Sequence, residues 1–581
     1  MSTEQKNEKI EILRHSTSHV LAAAVLEMFP EAKFAIGPAI ENGFYYDFDL
    51  PRTLIPEDLE ILEEKMRAII KANHPFERAE ISIAEARADF EKLGQFYKVE
   101  LINDLAKAGN ENVSVYKSGP FVDLCSGPHL DSTGEIPADG FKLTKISGAY
   151  WRGDEKNKQL QRIYGVAFSN KSELKDYLHM IEEAEKRNHV KLGKELRLFS
   201  THPEGPGFPF IHPKGMLIWN ELIGYWKEEH TKEGYQEIST PIILNKALWE
   251  KSGHWDHYKD NMYFTKIDDA DYAVKPMNCP GGILVYKSDL HSYKEFPLKL
   301  AEIGLVHRHE LSGTLNGLFR VRMFRQDDAH IYCMENQIKD EIKKLIGLID
   351  RIYGTFGLSY HMELSTRPEN STGTDEMWKT AENSLKEALA EIKADYKLNP
   401  GDGAFYGPKI DFHIKDAIGR TWQCGTIQLD FSMPERFELT YIGEDGKEHR
   451  PVMLHRVIYG AVERFMGILI EHYAGAFPTW LSPVQVMIIP ISEKFNDYAK
   501  SIGTQFIASN VRASIDDSNE SLGKRIRLAE KQKIPYILVV GEKEMTDGSV
   551  AVRKRGEEKK QEILKVDEFL ENVKKEIEEK K

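Results

Sequence analysis

The chain's 581 residues, 41% hydrophobic and 29% charged, supply ample material for cores and, by the usual length prior, roughly four domains. A formal net charge of −14 repels polyanions overall, so any nucleic-acid partner must be gripped by local basic surfaces. Four cysteines argue against a disulfide framework, and the lack of a membrane-length apolar run or a signal-peptide pattern points to a soluble, cytoplasmic protein.

Residues 8–29, "EKIEILRHSTSHVLAAAVLEMF", read as an amphipathic helix. Within it "HSTSH" places His15 and His19 four apart on one face. Turn-punctuated β character follows in "FAIGPAIENGFYYDFDL", then a charged helix over 56–73, then strands and turns near 113–150 that close at "RIYGVAF". On a Pro/Gly turn, "CSGPH" pairs Cys125 with His129. An HxxxH pair alone is most often structural. A second couple raises its weight, and the chemistry is open between a tetrahedral metal site and metal-free acid/base work by imidazoles.

Residues 171–195 form a highly charged stretch unbroken by proline, read as one helix joining two folded units. "THPEGPGFPFIHPKG" opens the next unit, where polar strands are expected at 300–310, 319–332, 409–415 and 421–432. In "FRVRMFRQDDAHIYC", alternate residues share a face. Arg320, Arg322, Phe324, Gln326, Asp328 and His330 read as the floor of a polar pocket. Val321, Met323, Ala329, Ile331 and Cys333 face a core, with Arg325 and Asp327 as exceptions. The last hundred residues, with "VQVMIIPI", "RASIDD" and "IPYILVVG", suggest a small α/β domain, making three folded units. Its helix bearing Lys524, Arg525, Arg527 and Lys531 is a candidate basic surface for RNA, although a charge run is usually a solvated face.

No GxxxxGK[ST] loop is present, so cationic side chains must hold any phosphates. Arg308, Arg320, Arg322 and Arg464 are candidates because an arginine fork binds two oxygens at once, and Phe324 offers a face for a base. Surface salt bridging is the ordinary alternative for each. Cys279, His330 and His455 lie on three segments; three such ligands with an open fourth position suit a functional zinc, whereas separately each is a buried Cys or His.

Taken together these residues resemble the class II aminoacyl-tRNA synthetases, and within them the threonyl-tRNA synthetase family, over nearly the whole chain. "GYQEISTPII" is similar to the first class II motif, "RHELSGTLNGLFRVRMFRQDDAHIYC" to the second and "GAVERFMGILIE" to the third. "KPMNCPGG" and "MLHR" resemble the threonyl branch, and "HSTSH" with "CSGPH" its editing domain. The resemblance implies a multidomain α/β fold. An α+β editing domain would span 1–170, a linker helix 171–195, an antiparallel-sheet catalytic domain 196–483 and an α/β anticodon-binding domain 484–581.

It also implies ATP-dependent activation of L-threonine, transfer to tRNA(Thr) and hydrolysis of mischarged seryl-tRNA(Thr), in a homodimer that works away from membranes. Carried over by position, Arg308 and Arg320 reach the phosphates, Arg464 holds the γ-phosphate, Phe324 stacks under adenine, and Glu310, Lys409 and Gln423 complete the ATP side. Gln326, Asp328 and Gln428 line the amino-acid side. Cys279, His330 and His455 bind one Zn2+, and Mg2+ enters with ATP. His254 in "SGHWDHY" aligns with a histidine of the transfer step, a surface histidine beside Trp255 being the plain alternative. His15, His19, Cys125 and His129, with Tyr46, Lys98 and Asp123, form the editing cleft.

Three departures stand out. The family often carries a small ubiquitin-like domain ahead of the editing domain, whereas here "HSTSH" comes almost at once; Gly282 replaces a histidine, and Ala461 a small hydroxyl residue. Two other readings compete. One is a non-catalytic RNA sensor, which would have lost the ATP arginines; the other is a stand-alone editing hydrolase, which would lack an intact catalytic domain.

Overall fold

The computed structural model describes residues 3–557 and 560–581. Within the Lys171–Arg187 helix the chain divides into two compact units, one ending at Glu182 and one running from Glu183 to Lys581. No helix among the described residues is long and apolar enough to cross a membrane.

In the first unit the helix Thr3–Met28 packs against an antiparallel sheet whose path runs Lys33–Phe34, Gly43–Asp49, Gln159–Ala167, Phe141–Tyr150. Val20, Leu21 and Val25 meet Phe44, Phe48, Leu62 and Met66 in the core. The helix is not amphipathic in the expected way, because residues 16–25 are buried all round. Small side chains at Ser16, Ser18 and Ala22–Ala24 let neighbours approach from every side, which brings His19 under cover. A second sheet, Glu77–Ser82, Asn112–Ser118 and Phe121–Leu124, carries Asp123 and ends just before Cys125.

The second unit is built on an eight-stranded sheet. Its order is Gln236–Glu237, Leu298–His307, Met323–Cys333, Val452–Val457, Thr421–Asp430, Lys409–Lys415, Ser359–Ser365 and Tyr396–Asn399. The six inner strands are antiparallel and each outer strand pairs parallel. Period-two alternation sends Ala329, Ile331, Cys333, Phe412, Ile427 and Leu454 into one core with the helices Pro213–Lys232, Ile338–Thr355, Asp375–Glu391 and Val462–His472. The opposite face of the same strands presents polar side chains.

Three local expectations change. The strand starts at Met323, so Arg320 and Arg322 lie in the preceding loop, which turns at Gly317 with φ +48°. Arg322 is tied there to the carbonyls of Glu310 (2.9 Å) and Pro206 (3.2 Å). The two alternation exceptions have separate duties. Asp327 accepts the backbone N–H groups of Ile458, Tyr459 and Gly460 at 2.8–3.0 Å, while Arg325 lies over Trp219. The connecting helix is broken at Asn188, whose side chain accepts from Val190 and Lys191 N–H and starts a second helix, His189–Glu195.

The C-terminal sheet, ordered Ala513–Ile515, Val486–Pro490, Tyr536–Val540, Ser549–Lys554 and Glu562–Lys565, belongs to the second unit. Its first three strands are parallel and the rest antiparallel. Arg512 joins it to the larger sheet's helices by an ion pair with Glu221 and by a 3.0 Å bond to the Ser482 carbonyl. Arg525 departs from the basic-surface expectation. It is 5% exposed and donates to the Asp516 carbonyl at 3.0 Å, whereas Lys524, Arg527 and Lys531 are exposed.

Candidate active site, metal centre and hydrolytic cluster

Strand register assembles the first cluster. His330 sits opposite His455, and Gln428 sits opposite His455 from the other side. Cys279 begins the helix Cys279–Tyr286, and its Sγ and one nitrogen of each histidine all lie within 4.8 Å of one another. All three residues are buried. His455 donates from Nε2 to Asp430 Oδ2 at 2.9 Å, which leaves the Nδ1 lone pair free to ligate. Nε2 of His330 is buried with no hydrogen-bond partner. Gly282 lies beside this ring, where a Cβ would come within 3.3 Å of Nδ1. Burial pushes the Cys279 thiol well up and the His330 imidazole well down, so both are neutral. A thiol, an unpartnered imidazole nitrogen and a second imidazole oriented by a carboxylate fit a borderline-soft divalent ion such as zinc.

Two residues bear on this cluster directly. Asn278 donates to Asp328 Oδ2 at 3.1 Å and so fixes that carboxylate beside His330. His254 is fully buried, not on the surface. Its Nε2 lies 3.0 Å from Met277 Sδ and 3.9 Å from Cys279 Sγ, and burial among cationic groups pushes its pKa down to about 3.

Two clefts adjoin on the polar face of the sheet. The first, over the Cys/His cluster, is lined by Cys279, Gln326, Asp328, Gln428 and His455, with Tyr258, Met277, Tyr406 and Arg456. The second is lined by Glu310, Arg320, Phe324, Gln423 and Arg464. Arg308, Gln326, Thr426 and Val457 border both. The Arg308 guanidinium lies 5.1 Å above the Phe324 ring, and Arg464 is held by the Phe319 carbonyl at 3.0 Å. Lys409 lines neither cleft; Asp411 (2.6 Å) and Asp402 (3.1 Å) engage its ammonium.

The first unit gathers its own cluster. Cys125 Sγ lies 3.4 Å from His15 Nε2 and 3.3 Å from His129 Nε2, and these atoms with a His19 nitrogen fall within 4.8 Å of one another. Pro128 O and Ser16 Oγ hold the far nitrogens of His15 and His129, each at 3.2 Å. Behind them Lys98 Nζ lies 2.5 Å from Asp123 Oδ1, and Tyr46 donates to Asp123 Oδ2 at 2.6 Å. Desolvation dominates the titration here. It pushes Cys125 up to about 11, His129 down to about 2, and His15 and His19 down as well. The imidazoles are therefore neutral bases beside a neutral thiol.

Sequence reasoning passed over Asn278, Asp430, Tyr258, Met277, Tyr406 and Arg456. Asp430 was the most findable, as a lone carboxylate ending the apolar run "TIQLD". Met277 and Asn278 lie in "KPMNCPGG" and Arg456 in "MLHR", so those stretches pointed to them, whereas Tyr258 and Tyr406 become site residues only through loop placement.

Comparison with known proteins agrees with this architecture. Residues 263–473 match the tRNA synthetase class II core domain (G, H, P, S and T), 485–576 the anticodon binding domain, and 113–164 the threonyl and alanyl tRNA synthetase second additional domain. A threonine–tRNA ligase of Carboxydothermus hydrogenoformans is 62% identical over 554 residues, 95% of this chain and 87% of the relative. One from Clostridium botulinum strain Kyoto is 60% identical over 568 residues, 98% of this chain and 89% of the relative. The crystal structure of the RNA binding domain of threonyl-tRNA synthetase from Cryptosporidium parvum Iowa II is 42% identical, with a TM-score of 0.66 over 67% of this chain and 98% of that one. Identity of this extent, across all three matched domains, makes the chain a member of the threonyl-tRNA synthetase family, the threonine–tRNA ligases.

Proposed function

We propose that the two adjoining clefts activate L-threonine with ATP and pass it to the 3′ end of tRNA(Thr), while the His/Cys cluster of the first unit hydrolyses seryl-tRNA(Thr). We assign residues 1–170 to editing, 171–195 to the connection, 196–483 to catalysis and 484–581 to the anticodon, in a cytoplasmic homodimer. One observation carries the reading: three metal-type donors converge at a cleft that two of them, Cys279 and His455, line, and this cleft shares Arg308, Gln326, Thr426 and Val457 with an arginine-lined one.

Threonine and valine are nearly isosteric, and an apolar pocket separates such a pair only about a hundredfold. Cys279, His330 and His455 would hold zinc, which supplies attraction for both an amino group and a side-chain hydroxyl. Asp328, steadied by Asn278, accepts the hydroxyl proton, and Gln326 and Gln428 orient the amino acid. A carboxylate oxygen of threonine then attacks the α-phosphorus. The bond to the β-phosphate oxygen breaks, and pyrophosphate leaves. Arg308 and Arg320 balance the charge gathering on the phosphates, Arg464 holds the γ-phosphate with the Mg2+ that accompanies ATP, and Phe324 backs the adenine. In the second step a terminal ribose hydroxyl attacks the threonyl carbonyl, loses its proton and releases AMP. His254, between Met277 and Cys279, is assigned to this step.

Serine passes the first test because it differs by one methyl, worth about 1–3 kcal/mol. A second site is therefore required. In the first unit a neutral imidazole can accept a proton from water as it attacks the seryl ester, freeing serine and tRNA, while threonine's methyl is shut out by size. Exchange of pyrophosphate into ATP, measured with threonine, serine and valine, tests the whole. Threonine and serine should support exchange and valine should not; equal exchange with valine would remove the basis for hydroxyl selection.

A further inference from the structure

We propose that His189 is a positioning residue for the nucleotide. It sets the turn that carries Phe319 and Arg320 and, through Phe319, the guanidinium of Arg464. The proposal rests on reading the arginine-lined cleft as the ATP site.

His189 follows Asn188, where the connecting helix breaks, and is 1% exposed. One oxygen, Glu471 Oε1, accepts both its backbone N–H (2.9 Å) and its Nδ1–H (2.7 Å). A carboxylate can only accept, so the ring proton sits on Nδ1 and Nε2 presents a lone pair. That lone pair accepts the backbone N–H of Leu318 at 3.0 Å. The ring also packs on Phe319 with centroids 3.9 Å apart. The fit beneath the turn is close: a Cβ on Gly317 would fall 2.2 Å from His189 Nε2.

The consequence reaches the cleft in one step. Phe319 O accepts from Arg464 Nε at 3.0 Å, and Phe319, Arg320 and Arg464 line the same cavity. Glu471, which holds His189, lies at the far end of the helix Val462–His472 that bears Arg464, and Arg420 secures its other oxygen. A single imidazole thus ties both ends of the phosphate-facing apparatus, the loop and the helix, to the short helix His189–Glu195. Among the described residues Leu318 N–H has no other acceptor, so losing Nε2 cuts the turn's tie to the helix, while the turn's own bonds from Phe319 and Arg320 N–H to the Asn316 carbonyl remain. Small displacements of a substrate-holding group are costly to catalysis.

The test uses the full chain and threonine-dependent ATP–pyrophosphate exchange. His189→Ala should raise KM for ATP about tenfold and leave KM for threonine within about twofold. His189→Gln, whose carbonyl oxygen can accept from Leu318, should recover most of the ATP KM. His189→Asn, one methylene shorter, can place its amide against Glu471 but cannot also bring an acceptor to Leu318 N–H, and should not. The Gln–Asn comparison carries the test even where the alanine variant does not fold. Arg464→Ala is the control for the cleft: wild-type ATP kinetics in it would overturn the ATP reading itself. If Arg464→Ala is impaired but the Gln and Asn variants behave alike, or if the KM values for ATP and threonine rise together, His189 merely fills space and the proposal fails.

Discussion

His455 and Asp430 form a buried pair, Nε2–H donating to Oδ2 at 2.9 Å, and that bond decides which nitrogen faces Cys279 and His330. Asp430 Oδ1 is already committed to the N–H groups of Ser432 and Met433, so the carboxylate cannot swing away. Asp430→Asn would keep those two bonds while turning an amide donor toward His455, forcing the ring proton onto Nδ1. Metal affinity should fall about 10–100-fold, the range typical when a ligand's orienting partner is lost. Competition against a chelator of known affinity reads this directly; an unchanged titration would place the metal elsewhere.

Removing a donor should do more. Cys279→Ser should abolish bound zinc, counted per chain by elemental analysis, and with it threonine-dependent exchange. Hydrolysis of seryl-tRNA should persist in the same preparation, since its cluster is built wholly from the first unit. The mirror experiment is His15→Ala with His19→Ala, in which threonylation continues and seryl-tRNA accumulates. Equal clearance of seryl-tRNA by that double variant would send the editing chemistry to other residues.

Lys98 and Asp123 are each about 3% exposed and 2.5 Å apart, so each is the other's main compensation for burial. Lys98→Met should destabilise the first unit by about 3–5 kcal/mol, because it strands a buried carboxylate. Tyr46→Phe removes one hydrogen bond to the same carboxylate and should cost less, about 1–3 kcal/mol. Denaturant unfolding ranks the two. The reverse order would mean the ammonium is not what keeps Asp123 in place.

Glu463 gives a pH dependence with a definite sign. Burial pushes its carboxyl up to about 7, opposed by the Arg325 N–H at 2.9 Å and the Arg325 guanidinium at 3.8 Å. Its folded pKa lies above the unfolded value, so the folded state holds the proton where the unfolded state has released it. Stability contributed by this group is full below about pH 4.5 and is lost as pH rises to about 7, a change on the order of 3 kcal/mol. Glu463→Gln keeps an acceptor for Arg325 and should flatten the stability profile of the second unit across that window. A variant profile as steep as wild type would assign the slope to another group.

On the C-terminal helix Leu522–Lys531, neighbouring arginines should separate. Arg527→Glu should weaken tRNA binding and reduce its salt dependence, because the residue is exposed. Arg525→Ala should instead lower the unfolding midpoint, because its guanidinium is buried against the Asp516 carbonyl. Gel-shift titrations at two salt concentrations, beside thermal melts, distinguish these; equal effects on RNA would return Arg525 to the surface.

Much of the catalytic sheet could be read in one dimension. Alternation along 323–333 separated Ala329, Ile331 and Cys333 from Phe324, Gln326, Asp328 and His330, because a strand's side chains have a strict period of two. Alternation could not say where the strand starts. The loop's turn at Gly317 and the carbonyls that hold Arg322 override it, since backbone bonding to distant segments is invisible to a local pattern. Asn188 did carry a capping signal, but the surrounding charge run hid it.

What the amino-acid order determined by itself was the inventory: which side chains could ligate a soft cation, grip a phosphate or accept a proton, and which face of each strand they occupy. Tertiary structure alone decided which of them meet. Cys279, His330 and His455 come together because the register of two strands and the start of one helix agree in space, and burial then sets their charge. The same burial withdrew Arg525 from solvent and hid His254 behind the cleft. Desolvation and cross-strand register are properties of an assembled volume, so no linear stretch of residues contains them.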